Sequence, residues 1–160
     1  MDSVNLRAAN DKDLEALNQL MFELHDEHHC ACPQYFKTAE DIELEKSIAR
    51  YLNDPQCLVW VAISQNEIVG FITGHFCELI STVSKPVQMG SVDELYVIPP
   101  MRKRGIAKAL YQKLEQSFFE NGAQEIFVEV WHFNQSAKDF YAQTGFVEHI
   151  HWLRKRLSGS

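Results

Sequence analysis

The sequence predicts an α/β fold in which a mixed sheet is flanked by helices. Leu58–Ile63 and Ile68–Phe76 are apolar runs separated by a short polar turn, a pattern that indicates an antiparallel hairpin. Val92–Ile98 and Ile126–Trp131 are also strand-like, but an amphipathic helical segment lies between them. Strands that pair first as a hairpin and later through helices form a mixed α/β sheet.

The chain opens with a strand and a capped helix. Val4–Ala8 is the predicted first strand. Asn10, followed three residues later by Asp13, is typical of a helix N-terminus, because the Asn side chain can accept a hydrogen bond from an unpaired amide. This helix is predicted to reach about Leu24.

A loop and a second helix come before the hairpin, and a further loop follows it. Cys30–Phe36, rich in cysteine, proline and aromatic residues, is the predicted first loop. Thr38 with Asp41 indicates the start of the second helix. The apolar residues of that helix are Ile42, Leu44, Ile48 and Leu52. After the hairpin, Glu78–Gly90 is predicted to be a loop with strand edges.

The second half contains a long helix, a short helix and a last strand. Pro99-Pro100 ends the strand Val92–Ile98, since proline cannot donate to a strand ladder. The long helix has its apolar residues at every fourth position: Ile106, Leu110, Leu114 and Phe118. Asn121-Gly122 ends this helix, Asn134 caps the next one and Gly145 terminates it. Phe146–Leu157 is predicted to close the sheet.

The segment Arg102–Ala107, between the strand and the long helix, carries the strongest functional signal. Its glycine, Gly105, lets the backbone approach a phosphate, and the first amides of the helix are unpaired donors at the positive end of the helix dipole. A glycine at such a turn can also have the purely structural role of ending the strand and allowing the chain to turn. The segment lacks both the Walker A motif and Gly-x-Gly-x-x-Gly, so a nucleoside-triphosphate or dinucleotide site is disfavoured.

A second motif lies about thirty residues later and comprises Asn134, Ala137, Phe140-Tyr141 and Gly145-Phe146. Together the two segments resemble the GCN5-related N-acetyltransferases, or GNAT proteins. Their phosphate loop reads Arg/Gln-x-x-Gly-x-Gly/Ala, and their later helix reads Asn-x-x-Ala-x-x-Phe-Tyr-x-x-x-Gly-Phe. The resemblance implies a mostly antiparallel central sheet with splayed parallel central strands. It also implies acetyl-CoA as cosubstrate.

The resemblance further implies which residues contact the coenzyme and which supply protons. The backbone of the strand before the loop would bind the pantetheine arm. Tyr141 would be the general acid that protonates the departing thiolate; its other interpretation is a core aromatic. The implied coenzyme contacts are Leu95, Tyr96, Val97, Arg102, Lys103, Arg104, Gly105, Ile106, Ala107, Asn134 and Tyr141.

The general base is less well defined by the sequence. A protonated amine cannot attack, so a carboxylate should accept its proton, and Glu94 is the nearest candidate, with Asp93 beside it. Several relatives have their carboxylate at the position that Ser91 occupies here. The remaining candidates are His75, Glu78 and His132.

Three functions are compatible with these residues. The first is an N-acetyltransferase for the primary amine of a small molecule, by direct attack in a ternary complex. The second is the same reaction on a protein amino terminus or lysine. The third is a coenzyme A-binding regulatory module without turnover, against which the intact Tyr141 argues.

Composition excludes several other classes. The 160 residues have the length of one domain, expected at residues 1–157, with 158–160 as a flexible tail or an expression remnant. The formal charge of −7 argues against nucleic-acid binding. No run has the roughly 18 apolar residues of a membrane span, and no leader is recognisable, so we expect a cytoplasmic protein.

Cysteine and histidine spacing favours no cofactor other than the coenzyme. The chain has 4 cysteines, which we expect to be reduced thiols. The cluster His25-Asp26-Glu27-His28-His29 is interpreted as a solvated surface, and no metal is predicted. The sequence leaves a homodimer open.

Overall fold

The structure, a computed structural model, describes residues 3–158, which divide into two compact units at Glu129/Val130. The first unit contains a 5-stranded sheet whose strands lie in chain order. These strands are β1 (Asn5–Ala8), β2 (Cys57–Ser64), β3 (Glu67–Leu79), β4 (Val87–Val97) and β5 (Glu125–Val128). The helices of the first unit are α1 (Leu14–Ala31), α2 (Ala39–Glu45), α3 (Ile48–Asn53) and α4 (Ile106–Glu120). The second unit contains α5 (Gln135–Gln143).

The sheet is antiparallel from β1 to β4 and parallel between β4 and β5. The parallel pairing runs from Met89↔Glu125 to Val92↔Val128 and stops there, whereas β4 continues to Val97. Strand β4 therefore continues for five residues beyond its pairing with β5. The predicted fold, a mostly antiparallel sheet with splayed parallel strands and flanking helices, is confirmed.

Helices pack on both faces of the sheet in the first unit. On one face, Leu17 and Leu24 of α1 join a core cluster with Val61, Phe71 and Tyr96 of the sheet. On the other face, α4 lies so close to the strands that only glycine fits beneath it: a Cβ at Gly90 would come within 2.5 Å of the Phe118 ring. This close packing fixes where α4 begins relative to the end of β4.

Several element boundaries differ from the prediction. Helix α1 extends to Ala31 rather than Leu24, and the second predicted helix is two helices, separated at Lys46-Ser47. Strand β3 ends at Leu79 and β4 begins at Val87, so the predicted loop Glu78–Gly90 is a loop with strand at both edges, as expected. The predicted last strand, Phe146–Leu157, lies in the second unit, and its pairing with the sheet of the first unit stays a prediction.

The interpretation of the histidine cluster as a solvated surface holds only in part, because His25 is largely buried. Its Nε2 atom has no hydrogen-bond partner among the residues that the structure describes. Burial, together with the nearby positive charges of Lys46 and His28, lowers the pKa of His25 to about 4. Since an unfolded histidine has a pKa of about 6.5, the unfolded chain gains a proton first as the pH falls.

We therefore expect the protein to lose stability between about pH 6.5 and pH 4, by about 2 kcal/mol through His25 after allowance for its partial exposure. In His25→Leu this part of the loss should disappear. Urea unfolding at pH 7 and pH 4.5 measures how much unfolding free energy is lost on acidification. His132→Leu is the control, because His132 is exposed. Equal pH dependence in wild type and His25→Leu would contradict the expectation.

Candidate functional site

The turn between β4 and α4 has the geometry of an anion-binding loop. Gly105 is the N-cap of α4, with a φ of 80°, and it has no side chain that could accept a hydrogen bond from the first helical amides. Lys103, with a φ of 64°, is also left-handed, which is rare for a residue with a side chain. The first turn of α4 contains no acidic residue, and residues 102–105 are exposed. The amides at this helix start are therefore available to an anion.

Arg102 is held by the protein itself. Its Nε donates to the carbonyl oxygen of Val97 at 2.7 Å, and its guanidinium binds Glu27 of α1, also at 2.7 Å. The same group lies over the Tyr96 ring, 5.3 Å from the ring centre. Arg102 thus ties the loop to β4 and α1, whereas Lys103 and Arg104 are exposed beside it.

The last residues of β4 combine buried side chains with a backbone edge. Tyr96 and Val97 are buried, and Leu95 is half-buried. On one side these residues pair with β3, but the pairing with β5 has already ended at Val92. Alternate N–H and C=O groups of this edge can therefore bind an extended ligand that contains amides.

A β-bulge in β4 brings two consecutive carboxylates to one region of the sheet. The pairing with β3 passes from Thr73↔Glu94 to Gly74↔Val92, so Asp93 is the extra residue. Consecutive residues of a regular strand point to opposite faces, but here Glu94 contacts Thr73 and Asp93 contacts His75, two residues on one face of β3. The bulge therefore creates an acidic cluster.

The carboxylate of Glu94 is buried, and both of its oxygens have partners within the protein. Its side chain is 4% exposed, and one carboxylate oxygen forms an ion pair with Lys46. The other oxygen accepts a hydrogen bond from the hydroxyl of Thr73. A carboxylate held in this way is well suited to fix the α2–α3 connection to the sheet, and its burial leaves little of it accessible to a substrate.

Asp93 orients a histidine. Its carboxylate lies 2.6 Å from Nδ1 of His75, and it also accepts hydrogen bonds from the hydroxyls of Tyr51 at 2.9 Å and Ser91 at 2.8 Å. Burial, with the charges of Glu94 and Asp93, raises the pKa of Tyr51, so that this phenol remains a donor. A proton on Nδ1 facing Asp93 leaves Nε2 of His75 as the basic nitrogen, on a side chain that is 37% exposed.

The second unit contains the other two predicted site residues. Asn134 caps α5, since its side-chain oxygen accepts from the amide of Ala137 at 3.0 Å. Tyr141 is 9% exposed and packs between Phe140 and Phe146, with ring centres 5.0 and 5.3 Å away. Burial raises the pKa of Tyr141 to about 12, so the phenol keeps its proton at neutral pH.

The sequence pointed to the loop, β4, Asn134 and Tyr141, but not to the partners of the acidic cluster. His75 was one of several alternatives, and Lys46, Tyr51 and Thr73 were not predicted at all. Each of the three is separated from its partner in β4 by at least 21 residues in sequence, so no local motif could have revealed them. A hairpin register carried through to β4 would have placed His75 opposite Ser91.

Among the described residues the structure shows neither a metal-binding cluster nor a membrane-spanning helix. In the part of the chain that the structure describes, no three His, Cys, Asp or Glu side chains are arranged to hold a metal ion. The cysteines Cys30, Cys32, Cys57 and Cys77 are free. Between residues 3 and 158, no helix combines the length and apolar character needed to cross a membrane.

Comparison with known proteins identifies the family. The sequence model of the acetyltransferase (GNAT) family matches residues 21–146. An uncharacterised N-acetyltransferase of Mycobacterium tuberculosis is 30% identical over 115 residues, which cover 71% of this chain and 69% of that protein.

Solved structures show the same fold. An acetyltransferase from Vibrio fischeri is 53% identical, with a TM-score of 0.67 over 79% of this chain and 96% of that one. The aminoglycoside N-acetyltransferase AAC(6')-Iy, solved in complex with CoA, is 18% identical, with a TM-score of 0.75 over 98% of this chain and 97% of that one. Because the family model covers most of the sequence and the mycobacterial relative is 30% identical over two thirds of both chains, the chain belongs to the GNAT family of acetyltransferases.

Proposed function

We propose that the protein transfers the acetyl group of acetyl-CoA to a primary amine of a small molecule, by direct attack in a ternary complex. The observation that carries this proposal is the uncapped start of α4 next to the unpaired backbone edge of β4. The start of α4 is suited to bind a pyrophosphate, and the edge of β4 is suited to bind a pantetheine arm. The fold neighbour AAC(6')-Iy was solved with CoA, which supports the same cosubstrate here.

In the proposed complex the chain binds acetyl-CoA along the loop and β4. The amides of Gly105, Ile106 and Ala107 bind the pyrophosphate, and the exposed Lys103 and Arg104 add positive charge. Arg102 positions the loop through Glu27. The backbone of residues 95–97 binds the pantetheine arm, and an N–H of this edge polarises the thioester carbonyl. The side-chain amide of Asn134 also contacts the arm.

The proposed reaction involves several proton transfers. A base takes one proton from the ammonium form of the acceptor, and the neutral nitrogen attacks the thioester carbon. The attached nitrogen then releases a second proton to solvent as the C–S bond breaks. Tyr141 gives its phenolic proton to the thiolate and regains a proton from solvent, so the products are an amide and free coenzyme A thiol. The raised pKa of Tyr141 supports this role, because the acid must be protonated at the working pH.

Two residues compete for the role of base. Glu94 is the candidate from the sequence, but its oxygens already bind Lys46 and Thr73. His75 offers a partly exposed ring nitrogen whose tautomer is set by Asp93. Geometry therefore favours His75, with Asp93 as the residue that positions it and Glu94 as a structural anchor.

The base assignment predicts a specific pH dependence. At pH 7, His75→Ala should lower turnover by about 10- to 100-fold, and the deficit should shrink as the pH rises, because the acceptor then loses its proton without help. Glu94→Gln should change turnover less while lowering thermal stability. The base assignment is tested by measuring the turnover of wild type and both variants across the pH range, with acetyl-CoA affinity checked by calorimetry. A turnover loss confined to Glu94→Gln would return the base to Glu94.

The activity itself is tested by release of coenzyme A thiol. The protein is incubated with acetyl-CoA and a panel of polyamines, aminoglycosides and monoamines, next to peptides with free amino termini or lysines. The formal charge of −7 favours cationic acceptors, so faster release is expected with the small polyamines and aminoglycosides. Release only with peptides would favour the protein-directed alternative. Acetyl-CoA binding without release for any acceptor would favour the regulatory module.

A further inference from the structure

One carboxylate of α1 contacts both the loop of residues 102–107 and the end of β4. A guanidinium nitrogen of Arg102 donates to the Glu27 carboxylate at 2.7 Å. Burial would raise the pKa of Glu27, but hydrogen bonds from Arg102 and from the phenol of Tyr96, together with the charge of Arg102, lower it overall. Glu27 is therefore ionised at neutral pH, and it joins α1 to the end of β4 and to the loop.

Each partner of Glu27 lies next to backbone that binds the coenzyme in the proposed complex. Tyr96 is 5% exposed and belongs to the stretch of β4 that would bind the pantetheine arm. Arg102 begins the loop, and its Nε also donates to the carbonyl oxygen of Val97 at 2.7 Å. The guanidinium lies over the Tyr96 ring as well. With Glu27 in place, Arg102 is held against the end of β4 from more than one side.

The residue after Arg102 has a backbone conformation that needs support. Lys103 has a φ of 64°, in the left-handed region that residues with a side chain rarely adopt. Such conformations persist only where the surrounding structure holds them. The side chain of Lys103 is exposed, so the adjacent contacts of Arg102 are well placed to hold this turn. The turn leads directly to Gly105, where α4 begins.

We propose that Glu27 is a positioning residue for acetyl-CoA. It holds Arg102 and thereby keeps the strained loop in the conformation whose amides bind the pyrophosphate. This role depends on the proposed function, because it requires the coenzyme to bind at this loop. Glu27 itself does not touch the coenzyme. Its contribution is preorganisation, since the apparent affinity of a ligand falls with the fraction of molecules that are in the binding conformation.

Glu27→Gln tests this role, because glutamine keeps the length of the side chain but cannot form an ion pair with Arg102. We expect acetyl-CoA affinity, measured by calorimetry, to fall about 5- to 10-fold, as when only a fifth to a tenth of the molecules keep the binding conformation. The kcat at saturating acetyl-CoA should stay within about twofold, because the reacting groups are unchanged. The melting temperature should change little, since an exposed ion pair contributes little to stability.

Glu23→Gln is the matched control for charge. Glu23 lies one turn earlier on α1 and accepts a hydrogen bond from Gln19. Removing either carboxylate takes one negative charge from α1, which by itself would strengthen the binding of an anion. Glu23→Gln should therefore keep or slightly raise the affinity for acetyl-CoA, whereas Glu27→Gln should lower it. An equal loss in both variants would contradict a specific role of Glu27.

Lys103→Gly provides a second comparison, because glycine adopts a positive φ without a steric penalty. The lost lysine charge lowers affinity by itself, so the effect of Glu27→Gln is measured within each background. In the glycine background the loss caused by Glu27→Gln should shrink to within about twofold, because the loop no longer has a strained residue to hold.

The same measurements separate this role from the proposed function. Unchanged or increased acetyl-CoA affinity in Glu27→Gln, or an equal loss in the lysine and glycine backgrounds, would overturn the proposal. If the wild type binds acetyl-CoA and releases thiol while Glu27→Gln binds equally well, only the role of Glu27 fails. If the wild type does not bind acetyl-CoA, the proposed function and the role of Glu27 fail together.

Discussion

Replacing Tyr141 with phenylalanine is expected to lower turnover by about 10²- to 10⁴-fold at saturating acetyl-CoA, the usual contribution of a general acid. The substitution keeps the ring and its contacts with Phe140 and Phe146, so packing in the second unit should be retained. Only the proton for the departing thiolate is removed. Affinity for acetyl-CoA, measured by calorimetry, should change by less than about threefold.

A matched control separates catalysis from packing. Tyr111 of α4 is 3% exposed and donates its hydroxyl to Glu115, so Tyr111→Phe removes the same atom from another buried tyrosine. We expect this control to retain turnover and to lose about 1 kcal/mol of stability. If Tyr141→Phe also stays within about twofold of wild-type turnover, Tyr141 is a core residue and another group protonates the thiolate.

The pH profile provides a second test of Tyr141. Because burial raises its pKa to about 12, the acid remains protonated throughout the range in which the protein can be assayed. Turnover should therefore rise with pH as the base and the amine lose their protons, without a decline caused by Tyr141 below about pH 12. A decline near pH 10 that is absent from Tyr141→Phe would mean that the phenol titrates normally.

The features that could be predicted from the sequence are those encoded by neighbouring residues. The cap at Asn10, where Asp13 completes a capping box, was predicted, and so was the start of α4 at Gly105. The end of α5 before Gly145, whose φ is 103°, was predicted as well. In each case a few adjacent residues determine the local backbone, so a pattern of a few letters is sufficient.

The features that were missed depend on contacts between distant segments. The apolar spacing of Ile42 to Leu52 indicates one helix, but Lys46 is extended, with a φ of −125°, and its ammonium group pairs with Glu94. The bulge at Asp93 depends on the pairing register of β3 and β4, which the sequence of neither strand specifies by itself. For the same reason the His75–Asp93 pair could be named only as one alternative.

Gly105→Glu is expected to lower acetyl-CoA affinity by more than about 100-fold, or about 2.7 kcal/mol. The new carboxylate would occupy the start of α4, where the pyrophosphate binds in the proposed complex, and would repel it. Its side chain meets no obstacle in the protein, since a Cβ at Gly105 has no neighbour within 4 Å. The fold should therefore survive, and calorimetry with acetyl-CoA measures the loss.

Gly105→Ala is the control that isolates charge from backbone strain. The φ of 80° at this position strains any L side chain, so alanine should cost about 1–2 kcal/mol of stability. Both variants share that strain, but only glutamate brings a negative charge, so affinity in Gly105→Ala should fall no more than about tenfold. Because the repulsion is electrostatic and exposed, the gap between the two variants should narrow in high salt. Equal affinities would mean that the anion binds elsewhere, and the assignment of the loop would then fail whatever the turnover of either variant.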